Sequence, residues 1–424
     1  MLWLFVIMLV LFAVSTPIAW SIAIAAAVYM AFGPHVPLQG FVQRLVGGID
    51  TFPLLAIPFF ILAGNLMNTG GITDRLVTFA RALVGHITGG LAHVVVVTNM
   101  IMAGMSGSGV ADAAGTGTVL VPAMKKAGYG VPFSAAIVGA AATIGPIIPP
   151  SIPMVVYGAI SRESVGKLFL GGFIPGVLIA IALMIQAHFY AKKRNYPTSK
   201  RPSLKQVAYH FYKVFLALLT PVIILGGIAT GFFTPTEAAA VAAVYALILG
   251  FLVYRALTWK KCLKTLLSTA MLTGVIVFIM GMAALWSWMI TNEGLTTVLV
   301  SLLTSMTDNP HVMMLLLVII LLILGCFIEP LAIMIMVLPV MLPILQAYHI
   351  SYLHFGVVMT LALMIGLLTP PFGELLFILT AITGVPVGRV ARATAPYLLG
   401  IGAVLFLIMY IPSLVTWLPS VLIK

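Results

Sequence analysis

The sequence predicts an all-α, polytopic membrane protein, and three observations predict it. The first is composition: of 424 residues, 62% are hydrophobic and only 7% are charged. A soluble domain is about one-quarter charged, so this chain has too few charges to cover a water-facing surface. Disorder is excluded too, because it needs low hydrophobicity and high charge. The second is that apolar runs of spanning length recur along the whole chain. The third is that the 21 Lys+Arg, set against 9 Asp+Glu, gather in short clusters between those runs, as topology signals do. Nucleic acid is not an expected partner, since that needs a basic soluble face; membrane lipid is. Cys262 and Cys326 have no metal or redox spacing and imply no disulfide framework.

The elements follow in order. Residues 1–14 are apolar with no Lys or Arg ahead of them, so they read as a retained membrane helix at 2–15, not a cleavable signal peptide. Further apolar segments lie at 17–33, 52–68, 90–125, 131–160, 165–190, 214–232, 236–254, 268–290, 311–347, 351–382 and 394–411. One span needs about 20 residues. Segments 90–125 and 311–347 are longer and carry a polar or Pro/Gly break near the middle. They are expected as re-entrant hairpins that reach the midplane and return. Segments 131–160 and 351–382 contain Pro-Pro steps and are expected as broken helices. Residues 72–87, with Arg75, Arg81 and His86 among apolar residues, and residues 295–306 are expected as amphipathic arm helices along the interface. Thr234-Pro235-Thr236-Glu237 reads as a capping box with proline at the first helical position. The soluble stretch 191–213 is too short for a nucleotide-binding domain.

Sidedness follows from the positive-inside rule. With 191–213 in the cytoplasm and each hairpin returning to its own side, 17 basic residues face the cytoplasm. Four face outside: Arg44, Arg162, Lys167 and Lys424. Turning either hairpin into a full crossing spoils this split. Both termini then lie outside.

An internal repeat appears at an offset of 221 residues. Gly104 meets Gly325, Pro122 meets Pro343, Ile144-Gly145 meets Ile365-Gly366, Pro149-Pro150 meets Pro370-Pro371, and Pro175 meets Pro396. Upstream the offset drifts, to 218 for Thr16-Pro17 with Thr234-Pro235 and to 223 for Gly71-Ile72-Thr73 with Gly294-Leu295-Thr296. The copies, 1–213 and 214–424, start on opposite sides and are therefore inverted. Inverted repeats with paired interrupted helices point to a secondary transporter whose site lies near the midplane.

The interruptions hold the candidate chemistry. The first hairpin tip is Gly104-Met105-Ser106-Gly107-Ser108-Gly109 and the second is Gly325-Cys326-Phe327-Ile328-Glu329-Pro330. A proline lacks an N–H and clashes with the preceding turn, so a Pro-Pro step leaves carbonyls without helical partners. In a bilayer such backbone must be buried in protein or line a wet cavity. Bare carbonyls and hydroxyls are hard ligands that suit Na⁺, by the logic of Ca²⁺ oxygen cages. The half-helix N-termini at the tips favour an anionic substrate. A lone proline break is ordinarily only a kink; four breaks paired by the repeat point to a site. Glu329, ionisable at membrane depth, is functional by default, and its alternative is a hydrogen-bonded side chain that closes the tip. Glu374 belongs either to the site or to a cytoplasmic vestibule. Asp112 is read as capping the returning half-helix. The eight histidines and 23 methionines show no ligand pattern.

These residues resemble the large membrane subunit of TRAP (tripartite ATP-independent periplasmic) transporters, of the DctM/SiaM type, over essentially the whole chain. The stretches that carry it are IPFFILAGN at 57–65, MSGSGVADAAGTG at 105–117, IGPIIPPSIPMVVYG at 144–158, FTPTEAAA at 233–240 and IGLLTPPFG at 365–373. The resemblance implies an elevator-type transporter fold, in which a transport domain moves against a fixed scaffold. It implies Na⁺ as coupling ion and no organic cofactor. The implied partners are a periplasmic solute-binding protein and a small four-helix membrane subunit, here expected as a separate polypeptide. The substrate class is an organic acid: a C4-dicarboxylate, sialic acid or another sugar acid. One Na⁺ site would use Ser106 with carbonyls near Gly145, Ile148 and Pro150. The second would use Gly325 with Gly366, Thr369 and Phe372. Substrate would sit between the tips near Ser108 and Glu329. Family members often carry Asp in the second tip; Glu329 keeps the charge with a longer reach.

The expected location is the bacterial inner membrane. The main rival is a stand-alone Na⁺/dicarboxylate symporter of similar architecture. An intramembrane enzyme would need a nucleophile and base or a metal cluster at midplane depth, and the sequence offers neither; no catalytic residue is assigned. An ATP-driven permease with a separate motor subunit fits the inverted hairpins poorly.

Overall fold

Helix boundaries in this chain are set by short polar side chains and glycines placed where apolar runs begin and end. The computed structural model describes residues 16–32, 38–198 and 201–423, with Ile7, Val10, Leu11 and Val14. The span read at 2–15 lies outside the described residues apart from those four, as do Lys200 and Lys424. The described residues form nineteen α-helices and no strand. In the first half these are α1 (Ile18–Phe32), α2 (Leu38–Ile49), α3 (Ala56–Thr69), α4 (Ile72–Val84), α5 (Gly90–Ser106), α6 (Gly109–Lys126), α7 (Val131–Ala142), α8 (Ile152–Ser161) and α9 (Val165–Lys193). In the second half they are α10 (Leu204–Ala229), α11 (Pro235–Ile248), α12 (Trp259–Asn292), α13 (Leu295–Met306), α14 (Pro310–Gly325), α15 (Pro330–Ala347), α16 (Tyr352–Gly366), α17 (Glu374–Thr383), α18 (Val387–Tyr410) and α19 (Ser413–Leu422). Among the described residues, seven helices are long and apolar enough to cross a membrane.

The caps are largely those the sequence signals. Thr234 and Glu237 form the reciprocal box expected at the start of α11. Ser108, Ser151, Ser164 and Ser351 each accept a hydrogen bond from the backbone N–H three residues on. Each cap of this kind contributes about 1 kcal/mol in water. Gly71, Gly89 and Gly294 take positive φ at the N-caps of α4, α5 and α13, where the chain turns sharply.

Several elements differ from expectation: α18 starts at Val387 ahead of the expected 394, and α19 (Ser413–Leu422) follows the last expected segment, which ended at 411. The cytoplasmic stretch read as 191–213 is mostly helical: α10 begins at Leu204, because Ser203 and Gln206 form a second capping box. Helix α12 likewise starts at Trp259, capped by Thr258, instead of at 268. Helix α2 was not anticipated between 34 and 51. Its apolar residues Phe41 and Leu45 are one turn apart and pack with Leu285 and Met289 of α12. Its short length and two adjacent glycines hide it from a span search.

The long segments break where the polar and Pro/Gly signals stand. Segment 90–125 becomes the packed pair α5–α6 and segment 311–347 the pair α14–α15. Segment 131–160 becomes α7 and α8 around an irregular 143–151, and segment 351–382 becomes α16 and α17 around 367–373. Both ends of α6 and α15 are separated by 221 residues. Helices α4 and α13 start 223 apart.

Packing links the helices in two groups that also touch each other, through α12 on α15 and α3 on α5. Helix α12 lies against α1, α2 and α3, and α3 against α11. The hairpins pack with the broken helices: α6 on α7 and α17, α14 on α16, α15 on α8. Helix α9 closes the second group against α18, α19 and α5. Glycine permits the closest approach. A Cβ at Gly172 of α9 would lie 2.2 Å from the Ile147 carbonyl in the first break, and one at Gly402 of α18 would touch nothing within 4 Å. Gly172→Ala should therefore cost about 1–3 kcal/mol and lower the unfolding temperature of the purified protein. Gly402→Ala should leave that temperature unchanged or slightly raise it; equal melting of the two variants would contradict this packing.

Candidate functional site

Each hairpin tip docks on the break of a broken helix, and the contacts are backbone to backbone. At the first tip α5 ends at Ser106 and Gly107 turns the chain with φ 63°. A Cβ at Gly107 would sit 2.5 Å from the Pro150 carbonyl, and the Gly107 carbonyl accepts from Ile152 N–H at 3.4 Å. Gly109 also approaches the Ala142 carbonyl, with a virtual Cβ at 3.0 Å. Beneath the tip, Ser106 Oγ donates to Asp112 Oδ1 at 2.6 Å. Asp112 is fully buried and its Oδ2 has no hydrogen-bond partner. A Cβ at Gly145 would lie 2.4 Å from that oxygen, so it presses on the backbone of the break. Asn99 and Thr116 bond across the hairpin arms just below, and Thr116 Oγ1 also donates to the Asp112 carbonyl at 2.6 Å.

The second tip repeats the docking with other residues. Gly325 and Gly366 meet backbone to backbone, and a Cβ at Gly366 would lie 2.6 Å from Gly325 Cα. Phe372 N–H donates to the Cys326 carbonyl at 3.1 Å. Thr369 Oγ1 donates to the Ile365 carbonyl at 2.8 Å, which leaves its lone pairs free to face outward. The bond Pro149–Pro150 in the first break and Pro370–Pro371 in the second are cis. Glu329 caps α15, accepting from Ala332 N–H at 3.0 Å.

Between the tips lies a cavity of about 160 Å³. It is lined by the first turns of four helices: Gly109 and Val110 of α6, Ile152 and Pro153 of α8, Pro330 and Leu331 of α15, and Glu374 of α17. Helix N-termini each carry roughly half a positive charge, and here four of them converge. Ser108 and Glu329 face the same cavity from the two tips, and Leu272 and Ile276 of α12 close it. A second concavity of about 270 Å³ adjoins it behind Glu329 and Glu374.

The structure thus gathers the sequence-predicted residues into three neighbouring groups. Ser106, Gly145 and Pro150 surround the first tip, with Ile148 in the same break and its side chain packed on Gly176. Gly325, Gly366, Thr369 and Phe372 surround the second, where the Phe372 ring is exposed. Ser108 and Glu329 share the cavity between, and Glu374 joins them there. Asp112 does not cap the returning helix as expected. Ser108 does, accepting from Ala111 N–H, because the cap must lie ahead of the first turn and Asp112 is already inside it. What sequence reading missed is that Asp112 belongs under the tip. The signal was present: the offset of 221 pairs Asp112 with Ile333, so this acid has no counterpart in the other copy. Among the described residues no group of three or more His, Cys, Asp or Glu could hold a transition metal.

Comparisons with known proteins agree with this architecture. The family model for the tripartite ATP-independent periplasmic transporter DctM component matches residues 5–414. The sialic acid TRAP transporter large permease SiaM of Vibrio cholerae is 41% identical over 95% of this chain and 95% of its own length. The C4-dicarboxylate TRAP transporter large permease DctM of Pseudomonas aeruginosa is 40% identical, over 93% of this chain and 92% of its own. The sialic acid TRAP transporter permease SiaT of Haemophilus influenzae is 40% identical over 98% of this chain and 67% of its own length. Among solved structures, the YdaH transporter of Alcanivorax borkumensis shares the fold, with a TM-score of 0.63 at 16% identity over 88% of both chains. The chain therefore belongs to the DctM family as a TRAP transporter large permease, a multi-pass membrane transport protein and not an enzyme.

Proposed function

We propose that this chain is the permease of a Na⁺-coupled, binding-protein-dependent importer of an organic acid, working by an elevator movement. The observation that carries it is the convergence of four helix N-termini on one cavity between two hairpin tips. That arrangement suits a carboxylate, which helix N-termini stabilise. Substrates named for relatives are sialic acid, C4-dicarboxylates and 2,3-diketo-L-gulonate, all organic acids. The partners on this reading are a periplasmic solute-binding protein and a small membrane subunit.

The two halves, 1–213 and 214–424, are read as inverted repeats, with re-entrant hairpins and both termini outside the inner membrane. Helices α4 and α13 are the arms. Helix α4 supports this role by packing on α10 and on the hairpin helix α5 at once. Na⁺ is read at two places. One is Ser106 with Gly145, Ile148 and Pro150, to which the unpartnered Asp112 Oδ2 adds a carboxylate. The other is Gly325 with Gly366, Thr369 and Phe372. The donor set of carbonyls, hydroxyls and one carboxylate suits a hard monovalent ion.

Proteoliposomes holding this chain with its small subunit should take up an organic acid only with an inward Na⁺ gradient and the loaded binding protein. Uptake by the chain alone would turn the reading to a stand-alone symporter. Asp112→Asn keeps an acceptor for Ser106 and removes the charge. It should raise the Na⁺ concentration for half-maximal uptake about tenfold, or about 1.4 kcal/mol. Thr369→Val should raise it about fivefold, near the value of one hydrogen-bond-like contact. Unchanged Na⁺ responses would dismiss those ligand shells. For sidedness, cysteines placed in a cysteine-free background at the exposed Asn195 and Asn309 should differ, Asn309→Cys reacting with an impermeant external reagent and Asn195→Cys staying protected.

A further inference from the structure

A larger cleft, of about 530 Å³, lies beyond the tip cavity. It is walled by α2, α8, α12 and α15, and its relation to the cavity follows from helical spacing. On α12, Leu272 and Ile276 line the tip cavity; Met280, Ala283, Ala284 and Ser287 line the cleft. These positions recur every three or four residues, so they form one stripe along one helix face. Helix α15 does the same, with Leu331 at the cavity and Ile335, Pro339, Leu342 and Gln346 at the cleft. Helix α8 runs from Ile152 and Pro153 at the cavity to Ala159, Ile160 and Arg162 at the cleft. Three helices thus wall both spaces, and their shared faces define one track between them.

The cleft end of the track is polar. Arg162 is exposed there, at the C-cap of α8, and it is the cleft's single lysine or arginine among the described residues. No hydrogen bond, ion pair or ring contact occupies the guanidinium among those residues, so its five donors are available to an anion. Thr51, also lining the cleft, has a buried hydroxyl with no partner. A lipid chain would leave these groups unsatisfied; a small organic acid would not. Arg162 is moreover one of only four basic residues assigned to the outer side, so the cleft mouth concentrates what little positive charge that side has.

We infer that this track is the route by which substrate reaches the tip cavity, and that Arg162 at its mouth is the first contact for the substrate carboxylate. The inference rests on the importer reading above and adds a route and a residue to it. Arginine suits the role because its planar fork pairs with a carboxylate at two points, and an exposed cation speeds encounter with an anion in a manner that salt screens.

The test uses the complete transporter in proteoliposomes, in a cysteine-free background with normal Na⁺- and binding-protein-dependent uptake. If that background shows no such uptake, the importer reading itself fails, which is a separate outcome. Arg162→Cys should raise the substrate concentration for half-maximal uptake about fivefold, leave the maximal rate within twofold, and remove the salt dependence of the former. An external thiol reagent bearing an ammonium group should restore most of the loss, and one bearing a sulfonate should deepen it. Equal effects of the two reagents overturn the inference. So does a shift in half-saturation by the binding protein in place of the substrate, which would make Arg162 a docking residue. Ala284→Cys, about one turn nearer the tip cavity than Ser287, probes the route without touching Arg162. Saturating substrate should slow its external labelling at least threefold, and labelling that ignores substrate overturns the route whatever Arg162 does.

Discussion

The rest of the structure depends on how interrupted backbone is satisfied where water is scarce. A helix in a bilayer pairs its own N–H and C=O groups; a break exposes them, and each exposed group costs several kcal/mol in hydrocarbon. This chain has four such breaks and pairs them off, first tip to first broken helix, second tip to second. The hydrogen bonds from Ile152 to Gly107 and from Phe372 to Cys326 are the direct links. Glycines make them possible, since a side chain at Gly107 or Gly366 would collide with the opposing backbone. Capping serines and Glu329 satisfy the N–H groups at the same breaks. Of the buried side-chain oxygens at these breaks, Asp112 Oδ2 is left without a partner. The proposed cation reading starts from that atom.

The pseudo-symmetry is geometric and not chemical. At the offset of 221, Ser106 faces Phe327, Ser108 faces Glu329 and Asp112 faces Ile333. The first tip therefore has a buried carboxylate beneath it and a hydroxyl at its crown; the second has an apolar interior and a carboxylate at its crown. Two ion sites of equal shape would then differ in charge. On the proposed reading the first would hold its cation beside the buried Asp112 carboxyl, where electrostatic interactions are strong. The second would rely on carbonyl and hydroxyl dipoles next to a cavity. On this reading the second site is the weaker and the more exposed to whatever fills the space between the tips, which fits a division between an ion bound early and an ion bound with substrate.

Much of this was legible in the sequence because its strongest signals are discrete. Pro149-Pro150 and Pro370-Pro371 mark the breaks, Gly107 and Gly325 mark the tips, and Thr234 to Glu237 mark a helix start; each acts through local backbone geometry that a neighbour cannot override. Helix α2 and the early starts of α10 and α12 were not legible, because a span search reads mean apolarity and these pieces are amphipathic or carry lysines. Asp112 was misread for a different reason. Its rotation about the helix places it under the tip, and helical phase depends on where the helix begins. Once Ser108 is known as the cap, the fourth helical residue must turn inward toward Ser106.

On the proposed reading, charge balance ties the cavity to the coupling ions. Four helix N-termini give roughly two positive charges' worth of partial charge, and Glu329 and Glu374 stand among them. Both carboxyl groups lie at helix starts, where a negative charge is favoured. On the proposed reading, an organic acid entering the cavity adds negative charge beside them. Cations at the two proposed tip sites would offset that charge without occupying the cavity. A monoanion accompanied by two Na⁺ would carry a net charge of about +1. Movement of that charge inward is driven by roughly 2.3 kcal/mol per 100 mV of membrane potential. On that reading the carboxyl groups at the cavity give substrate and cations a reason to depend on one another, with the shared tips as the physical means.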